Sequence, residues 1–204
     1  MKSIYTIIVL TLFLYSCQSE KEKIEKSCKE SIEANVREQL KAATNVKSLD
    51  SLRIITVDTI TEQIEIKVAL RYIMSMVEYY KQMAELMAER AKTRRDIASI
   101  GSSIFGGSTL NKMQYEDAEA DKENALKLLD TLTIYNDKML ELNDKYKKAD
   151  STKFLHFEAT ALCQVTKQDM TMRRDTLYYW LTPDFKIIER QDVIKKYIGN
   201  LYKH

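Results

Sequence analysis

The clearest alternation of apolar and polar residues lies late in the chain, in residues 153–167. Apolar side chains take every second position, and polar side chains such as His156, Glu158 and Gln164 take most of the others. The apolar set is Leu155, Phe157, Ala159, Ala161, Cys163 and Val165. A period of two predicts a β-strand with one face on a core and one face largely in water.

Three further segments have the composition of strands. Residues 51–61 are rich in β-branched side chains, residues 172–182 contain Leu177-Tyr-Tyr-Trp-Leu181, and residues 186–190 form a short segment around Ile187 and Ile188. The segment Thr182-Pro-Asp-Phe185 predicts a turn, because proline presets its first central position and aspartate suits the second. We therefore expect a three- or four-stranded antiparallel sheet.

Helical spacing predicts two shorter helices at the ends of this region. In residues 20–43 an apolar side chain recurs every fourth position, at Ile24, Cys28, Ile32, Val36 and Leu40. This narrow stripe predicts an N-terminal helix that packs one face on the sheet. Residues 192–202 also carry apolar side chains at helical spacing.

The middle of the chain carries two long heptad patterns. In residues 64–98 apolar positions alternate spacings of four and three, at Ile66, Leu70, Ile73, Val77, Tyr80, Ala84, Met87 and Ala91. In residues 113–149 the fitted positions are Tyr115, Ala118, Ala125, Leu129, Leu132, Met139 and Tyr146, with Lys122, Asn136 and Asn143 as interruptions. The patterns predict an antiparallel coiled-coil hairpin over 64–149, inserted between the first and second strands of an α+β fold.

Charges and glycines mark the far end of this hairpin. The first arm ends in Arg90, Lys92, Arg94 and Arg95, and the second begins with Glu116, Asp117, Glu119 and Asp121. We expect these two sets to pair across the hairpin, so the basic set does not by itself indicate a phosphate site.

Between the arms, Gly101, Gly106 and Gly107 provide the backbone freedom for a reversal, and Ser108, Thr109 or Asn111 can cap the second arm. A turn alone does not require Ile104, Phe105 and Leu110. Either these side chains pack on each other, or they form a contact point for a partner protein or a lipid surface.

Overall composition narrows the class of protein. One proline and four glycines in 204 residues favour long regular elements. Lysine plus arginine total 32 and aspartate plus glutamate total 30, and this balance gives no electrostatic case for nucleic-acid binding. A hydrophobic content of 45% can support a packed core.

The first seventeen residues predict the location of the protein. Met1-Lys-Ser3 precedes a mostly apolar run to Tyr15, which is shorter than a membrane-spanning helix and is followed at once by polar residues. The ending Leu14-Tyr-Ser-Cys17 resembles the lipobox of bacterial lipoproteins. The resemblance implies that residues 1–16 are a signal peptide, that Cys17 carries fatty-acyl chains such as palmitate, and that 17–204 is a single domain tied to the cell envelope.

Two cysteines remain, and their spacing matches no zinc pattern. Cys28 lies on the stripe of the first helix and Cys163 on the apolar face of the clearest strand. A helix packed on a sheet brings these surfaces together, so a disulfide is open, and two buried thiols are the alternative.

The remaining residues show no recognisable motif for catalysis or cofactor binding. The chain has no Gly-x-Ser-x-Gly elbow, and its glycine-rich segment lacks the lysine and the preceding strand of a phosphate-binding loop. His156 and Glu158 share a strand face, but the only other histidine is His204. We expect no catalytic residues, no cofactor and no metal.

A looser resemblance covers about half of the chain. The first charged helix, Leu52-Arg-Ile-Ile-Thr-Val-Asp58, Phe157-Glu-Ala-Thr-Ala161 and the stretch from Tyr179 to Ile188 look like small lipoproteins and exported proteins of unknown function from Bacteroides-type bacteria. The resemblance implies an outer-membrane address and a helix-on-sheet fold, and it transfers no activity. It leaves open which face of the membrane the protein occupies.

We expect a lipid-anchored, non-enzymatic protein that presents its hairpin to an envelope partner, with the oligomeric state undetermined. Two alternatives stay open: a small-molecule or lipid carrier with a pocket between sheet and helix, and an inhibitor or immunity-type protein directed at a secreted enzyme.

Overall fold

Over the described residues the fold is α+β, with four α-helices and one four-stranded antiparallel sheet in strand order β1-β2-β3-β4. A computed structural model describes residues 19–105 and 109–202. The elements are α1 (Glu20–Ala42), β1 (Val46–Thr61), α2 (Glu62–Phe105), α3 (Thr109–Lys148), β2 (Phe154–Lys167), β3 (Met172–Leu181), β4 (Ile187–Ile188), α4 (Arg190–Ile198) and a 3₁₀ turn, Gly199–Leu201. Both long helices lie between β1 and β2, as the heptad patterns predicted.

Contacts divide the chain into two compact units. The first contains the described residues up to 62 together with 152–192, and the second contains 63–151 and the residues from 193 onward. The sequence predicted one domain with an inserted hairpin. The division adds one feature to that prediction, because the C-terminal residues belong with the hairpin.

In the first unit α1 packs on one face of the sheet. A capping box starts the helix: the Ser19 hydroxyl accepts from the Glu22 amide at 3.2 Å, and the Ser19 amide donates to the Glu22 carboxylate at 3.0 Å. The predicted stripe and the predicted face of β2 meet in one buried cluster. The cluster comprises Cys28, Ile32, Val36, Leu52, Phe157, Ala159, Ala161, Cys163, Val165 and Leu181.

The sheet joins a bulged edge strand to a regular one. β1 pairs with β2 through four register shifts, whereas β2 pairs with β3 from Phe157–Leu181 to Thr166–Met172 without a shift. The predicted turn at 182–185 is confirmed, since the Phe185 amide donates to the Thr182 carbonyl at 2.9 Å. β4 is shorter than predicted, because it pairs only with Trp180 and Leu181 before the chain enters α4.

In the second unit α2 and α3 run antiparallel. Arg90 reaches Asp121, and Arg94 reaches Asp117, so residues further along α2 meet earlier residues of α3. The side chains that face each other between the helices are called the seam here. All eight predicted seam residues of α2 are buried or half-buried.

The predicted seam of α3 is wrong at four of its ten positions, and the interruption Asn136 is half-buried. Ala118, Ala125, Leu132, Met139 and Tyr146 are buried or half-buried as predicted, but Tyr115, Lys122, Leu129 and Asn143 are exposed. The intervening seam positions lie one residue earlier, at Asp121, Leu128, Tyr135 and Leu142. The interruptions at 122 and 143 are therefore surface residues, and the polar seam residue is Asp121.

Candidate functional site

Charged residues connect the distal ends of the two long helices, as predicted. Asp121 is buried in the seam, 3.3 Å from Arg94 and 3.9 Å from Arg90. Arg94 also lies 3.2 Å from Asp117, and Arg95 pairs with Glu119. Because the buried carboxylate faces two guanidinium groups of the other helix, these pairs fix the register of the two helices.

The predicted tip residues are placed only in part. α2 continues to Phe105, and the side chain of Ile104 is 64% exposed. Phe105 and Leu110 belong to the helices, but their side chains lie outside the described part of the structure, as do Gly106 and Gly107.

Gly101 is helical and does not form part of the reversal. A Cβ atom at this position would lie 2.4 Å from the Asn111 side-chain oxygen. The absence of a side chain at Gly101 therefore allows Asn111 of α3 to pack closely against α2. Asn111 is buried inside α3, two residues beyond its first residue, and it does not cap that helix.

An open groove runs along one side of the distal hairpin. We call it the hairpin groove; its volume is about 330 Å³. Its floor is made of small residues, Ala88, Ala91 and Ala125, and one wall carries the exposed side chains of Leu126 and Leu129. The remaining lining residues are Lys92, Arg95, Asp96 and Lys122. A floor of alanines admits the backbone of another element closely, and the rim carries more positive than negative groups.

The other side of α2 carries a second row of residues, called the outer stripe here. It keeps the spacing of four and three along the helix. The outer stripe is Glu65, Ala69, Tyr72, Met76, Tyr79, Met83, Leu86, Arg90, Thr93, Ile97, Ile100 and Ile104. Two groove residues, Ala88 and Lys92, each follow an outer-stripe residue by two positions along α2. Two positions correspond to a rotation of about 200° around the helix, so the groove and the outer stripe lie on opposite sides of the seam.

The C-terminal residues cover the first third of the outer stripe. The buried carboxylate of Glu65 accepts hydrogen bonds from Lys196 Nζ at 2.8 Å and from the Tyr197 hydroxyl at 2.7 Å. Tyr72 stacks on Tyr202, with ring centroids 5.1 Å apart. Glu65 was not predicted from the sequence, because a lone glutamate among apolar positions is expected at the surface unless its partners, 131 and 132 residues away, are known.

A tyrosine of α3 anchors the same C-terminal residues. The Tyr135 hydroxyl donates to the Leu201 carbonyl at 2.6 Å, and its ring lies 5.1 Å from that of Tyr80. Burial raises the pKa of Tyr135 to about 12, so the hydroxyl keeps its proton and acts as a donor over the whole physiological range.

A smaller cleft of about 210 Å³ lies at the sheet edge where β4 ends. Its lining includes Asn35 of α1, Glu158 of β2, Tyr178 and Trp180 of β3, and Arg190. Trp180 Nε1 donates to Glu158 at 2.8 Å, and the Arg190 guanidinium lies 5.9 Å from the Trp180 ring. Asn35 lines this cleft, and its side-chain oxygen is buried and has no hydrogen-bond partner among the described residues.

Cys28 and Cys163 lie in the same buried cluster as free thiols, so the structure shows the second of the two alternatives left open by the sequence. Burial, assisted by Glu25, raises the pKa of Cys28 to about 11. Burial also raises the pKa of Cys163, with smaller contributions from Asp175 and Asp50. Both groups therefore remain protonated near neutral pH.

Three expectations concern anchoring and metals. Cys17 and the predicted signal peptide lie outside the described residues. Over residues 19–105 and 109–202 no helix is long and apolar enough to cross a membrane. Within those same ranges no three His, Cys, Asp or Glu side chains gather in a way that could hold a metal ion. Glu158, one of the two residues considered for a metal, instead binds Trp180.

No protein-family model, curated protein or solved structure matches this chain.

Proposed function

We propose that this protein is a lipid-anchored, non-enzymatic interaction protein of the cell envelope, and that its helical hairpin is the docking element. The observation that carries the proposal is the hairpin groove. Its alanine floor and its exposed Leu126 and Leu129 form an apolar surface bordered by charge, which is the usual arrangement of a protein-binding groove.

The groove favours one kind of partner. Its lining includes three alanines, whose small side chains allow the backbone of another helix to approach closely. Lys92, Arg95 and Lys122 stand on its rim with one lining carboxylate, Asp96. Glu119 pairs with Arg95 and lies 3.8 Å from Lys122, so the edge of the groove keeps one net positive charge. We therefore assign it an amphipathic helix with acidic residues beside its apolar face. The exposed Ile104 extends the apolar surface to the tip, where Phe105 and Leu110 are the further proposed contacts.

We also infer that α2 and α3 form an antiparallel coiled coil. Support comes from the seam, which keeps alternating spacings of three and four from Ala118 to Tyr146 and from Ile66 to Ala91. The ion pairs of Asp121 with Arg90 and Arg94 favour one alignment of the two helices along this seam. A coiled coil is stiff, which suits an element that must hold a groove open for a partner.

The anchoring part of the proposal rests on the lipobox resemblance. Replacing Cys17→Ser should move the protein from the membrane pellet to the soluble fraction, and mass spectrometry of the wild-type N-terminal peptide should show acyl chains on Cys17. A wild-type protein that begins at Met1 without lipid would contradict this part and leave the docking part to its own test.

The docking part is tested by partner capture with matched variants. Leu126→Glu with Leu129→Glu places two carboxylates in the groove, where they oppose an acidic partner helix. Leu140→Glu is the control, because Leu140 is 61% exposed on the same helix and does not line the groove. The proposal predicts a discrete membrane protein that co-purifies with wild type and with the control but not with the groove variant. Equal recovery by all three proteins would refute it.

The edge cleft supports a second candidate function, the binding of a small polar molecule. The space between α1 and the sheet is filled by the buried cluster, so a ligand would occupy the cleft at the sheet edge instead. The buried oxygen of Asn35 favours this candidate, since it can accept a hydrogen bond from a ligand hydroxyl.

Trp180 is the only tryptophan of the chain and lines that cleft, so its fluorescence reports binding directly. Titration with glucose and N-acetylglucosamine at millimolar concentrations should change the emission of wild type but not of Asn35→Ala. An unchanged emission of wild type would remove this candidate.

A further inference from the structure

The outer stripe of α2 is covered over its first third and uncovered beyond it. Tyr72 stacks on Tyr202, and Met76 packs against the buried cluster of the same unit, which includes Ile198. From Tyr79 onward the stripe continues with the same spacing, but Tyr79, Leu86, Ile97, Ile100 and Ile104 are each between 48% and 64% exposed. A surface that begins as an internal helix–helix contact and continues unchanged into solvent has the shape required to accept a further helix.

The uncovered part of the stripe has a symmetric composition. Three apolar residues, Tyr79, Met83 and Leu86, are followed by the polar pair Arg90 and Thr93. Three more apolar residues complete it, Ile97, Ile100 and Ile104. The stripe therefore reads apolar, polar, apolar in both directions, and it is complementary to its own reverse.

We propose that a second copy of this chain covers the outer stripe, with the two α2 helices antiparallel about a two-fold axis between Arg90 and Thr93. This arrangement places apolar residues opposite apolar residues at both ends. The facing pairs are Tyr79 with Ile104, Met83 with Ile100, Leu86 with Ile97 and Arg90 with Thr93 of the second copy. The hairpin groove lies on the opposite side of the seam, so the proposal is independent of partner docking.

The polar centre selects the antiparallel orientation. In a parallel pair Arg90 would face Arg90 of the second copy across the apolar contact, and two like charges would meet there. In the antiparallel pair Arg90 faces the Thr93 hydroxyl and remains within 3.9 Å of Asp121 in its own chain. The carboxylates of Glu89 and Asp96 flank this contact between the two copies. Both are exposed to water, so the repulsion between these like charges is weak.

Cysteine cross-linking in intact cells tests this arrangement with the full chain. Leu86→Cys and Ile97→Cys are made on two separately tagged copies and expressed together, and a mild oxidant is applied. The antiparallel dimer predicts a disulfide between the two different tags. Residue 86 of one copy lies about 16 Å along the axis from residue 86 of the other, so it should not cross-link with itself. A Leu140→Cys pair, exposed on α3, is the control and should remain uncross-linked.

The opposite results overturn the proposal. Cross-links between two Leu86→Cys copies would show a parallel pair and refute the arrangement. No cross-link, together with a monomeric mass for wild type in sedimentation equilibrium, would refute self-association. If the dimer forms, Leu86→Glu should weaken it by roughly 100-fold or more, because a charge is placed in an apolar contact. An unchanged helical circular dichroism signal would show that this variant still folds.

Discussion

The buried carboxylate of Glu65 provides the sharpest test of how the second unit is held together. Its oxygen Oε2 accepts from the Tyr197 hydroxyl at 2.7 Å and from Lys196 Nζ at 2.8 Å, and the residue is 0% exposed. Tyr197→Phe removes one hydroxyl group and keeps the ring. The lost hydrogen bond ends on a charged acceptor that water does not reach, so the free energy of unfolding should fall by about 1.5–3 kcal/mol.

A double-mutant cycle separates this hydrogen bond from the packing of the ring. In a Glu65→Gln background the acceptor is neutral, so Tyr197→Phe should cost only about 0.5–1.5 kcal/mol. Urea unfolding followed by helical circular dichroism measures each corner of the cycle. Tyr178→Phe is the control, because the Tyr178 side chain is 71% exposed, and it should leave stability unchanged. A cost below about 0.5 kcal/mol for Tyr197→Phe in the wild-type background would refute the assigned role.

Three further predictions concern the helix register, the packing of Gly101 and the buried thiols. Asp121→Asn should lower the free energy of unfolding in urea by about 2 kcal/mol, because it removes the buried charge that Arg94 faces. Glu119→Ala, at an exposed ion pair, should lower it by less than about 1 kcal/mol, and equal losses would contradict the role of the buried pair. Gly101→Ala should lower the melting temperature despite the better helix propensity of alanine, because the added Cβ meets the Asn111 side chain. The control Ser102→Ala should not lower it, and a higher melting temperature for Gly101→Ala would refute the close packing. The folded-state pKa of Cys28 is raised to about 11, so the contribution of this thiol to stability is fully present below about pH 9.0 and is lost as pH rises toward about 11. Cys28→Ala should reduce this pH dependence, with the remainder due to Cys163, and an unchanged profile would contradict the raised pKa of Cys28.

The sequence was sufficient to predict the buried face of an element where the local hydrophobic pattern coincides with burial. The period of two in β2 identified the face that packs on α1, and the spacing of four in α1 identified the matching stripe. The heptads of α2 identified its seam residues from Ile66 to Ala91. In each of these elements, one face is buried almost uniformly, so hydrophobicity alone marks it.

The α3 seam was only half predictable, because its deciding contact is tertiary. From Ala118 the pattern permits the next seam residue at 121 or at 122, and both are charged. Asp121 can be buried only because Arg90 and Arg94 of α2 lie beside it. The same reason hid Glu65, whose burial depends on Lys196 and Tyr197. Polar residues in a seam are predictable only when their partners are known.

The sequence singled out the tip of the hairpin but not the hairpin groove. The uncharged tip drew attention to Ile104, Phe105 and Leu110, and Ile104 is indeed exposed. The hairpin groove could not be derived from the sequence, because the wrong α3 register had placed Leu129 in the seam. In the structure Leu129 lies on the surface and forms a wall of the groove.

Site-specific photo-crosslinking in intact cell envelopes tests the central claim most directly. Probes are placed at Leu126 in the groove, at Phe105 at the tip and at the exposed Lys148 as a control. The proposed docking function predicts one discrete protein adduct from Leu126, shared with Phe105 and absent from Lys148. Lipid adducts alone, or an identical adduct pattern from all three positions, would contradict the claim that the hairpin docks a protein partner.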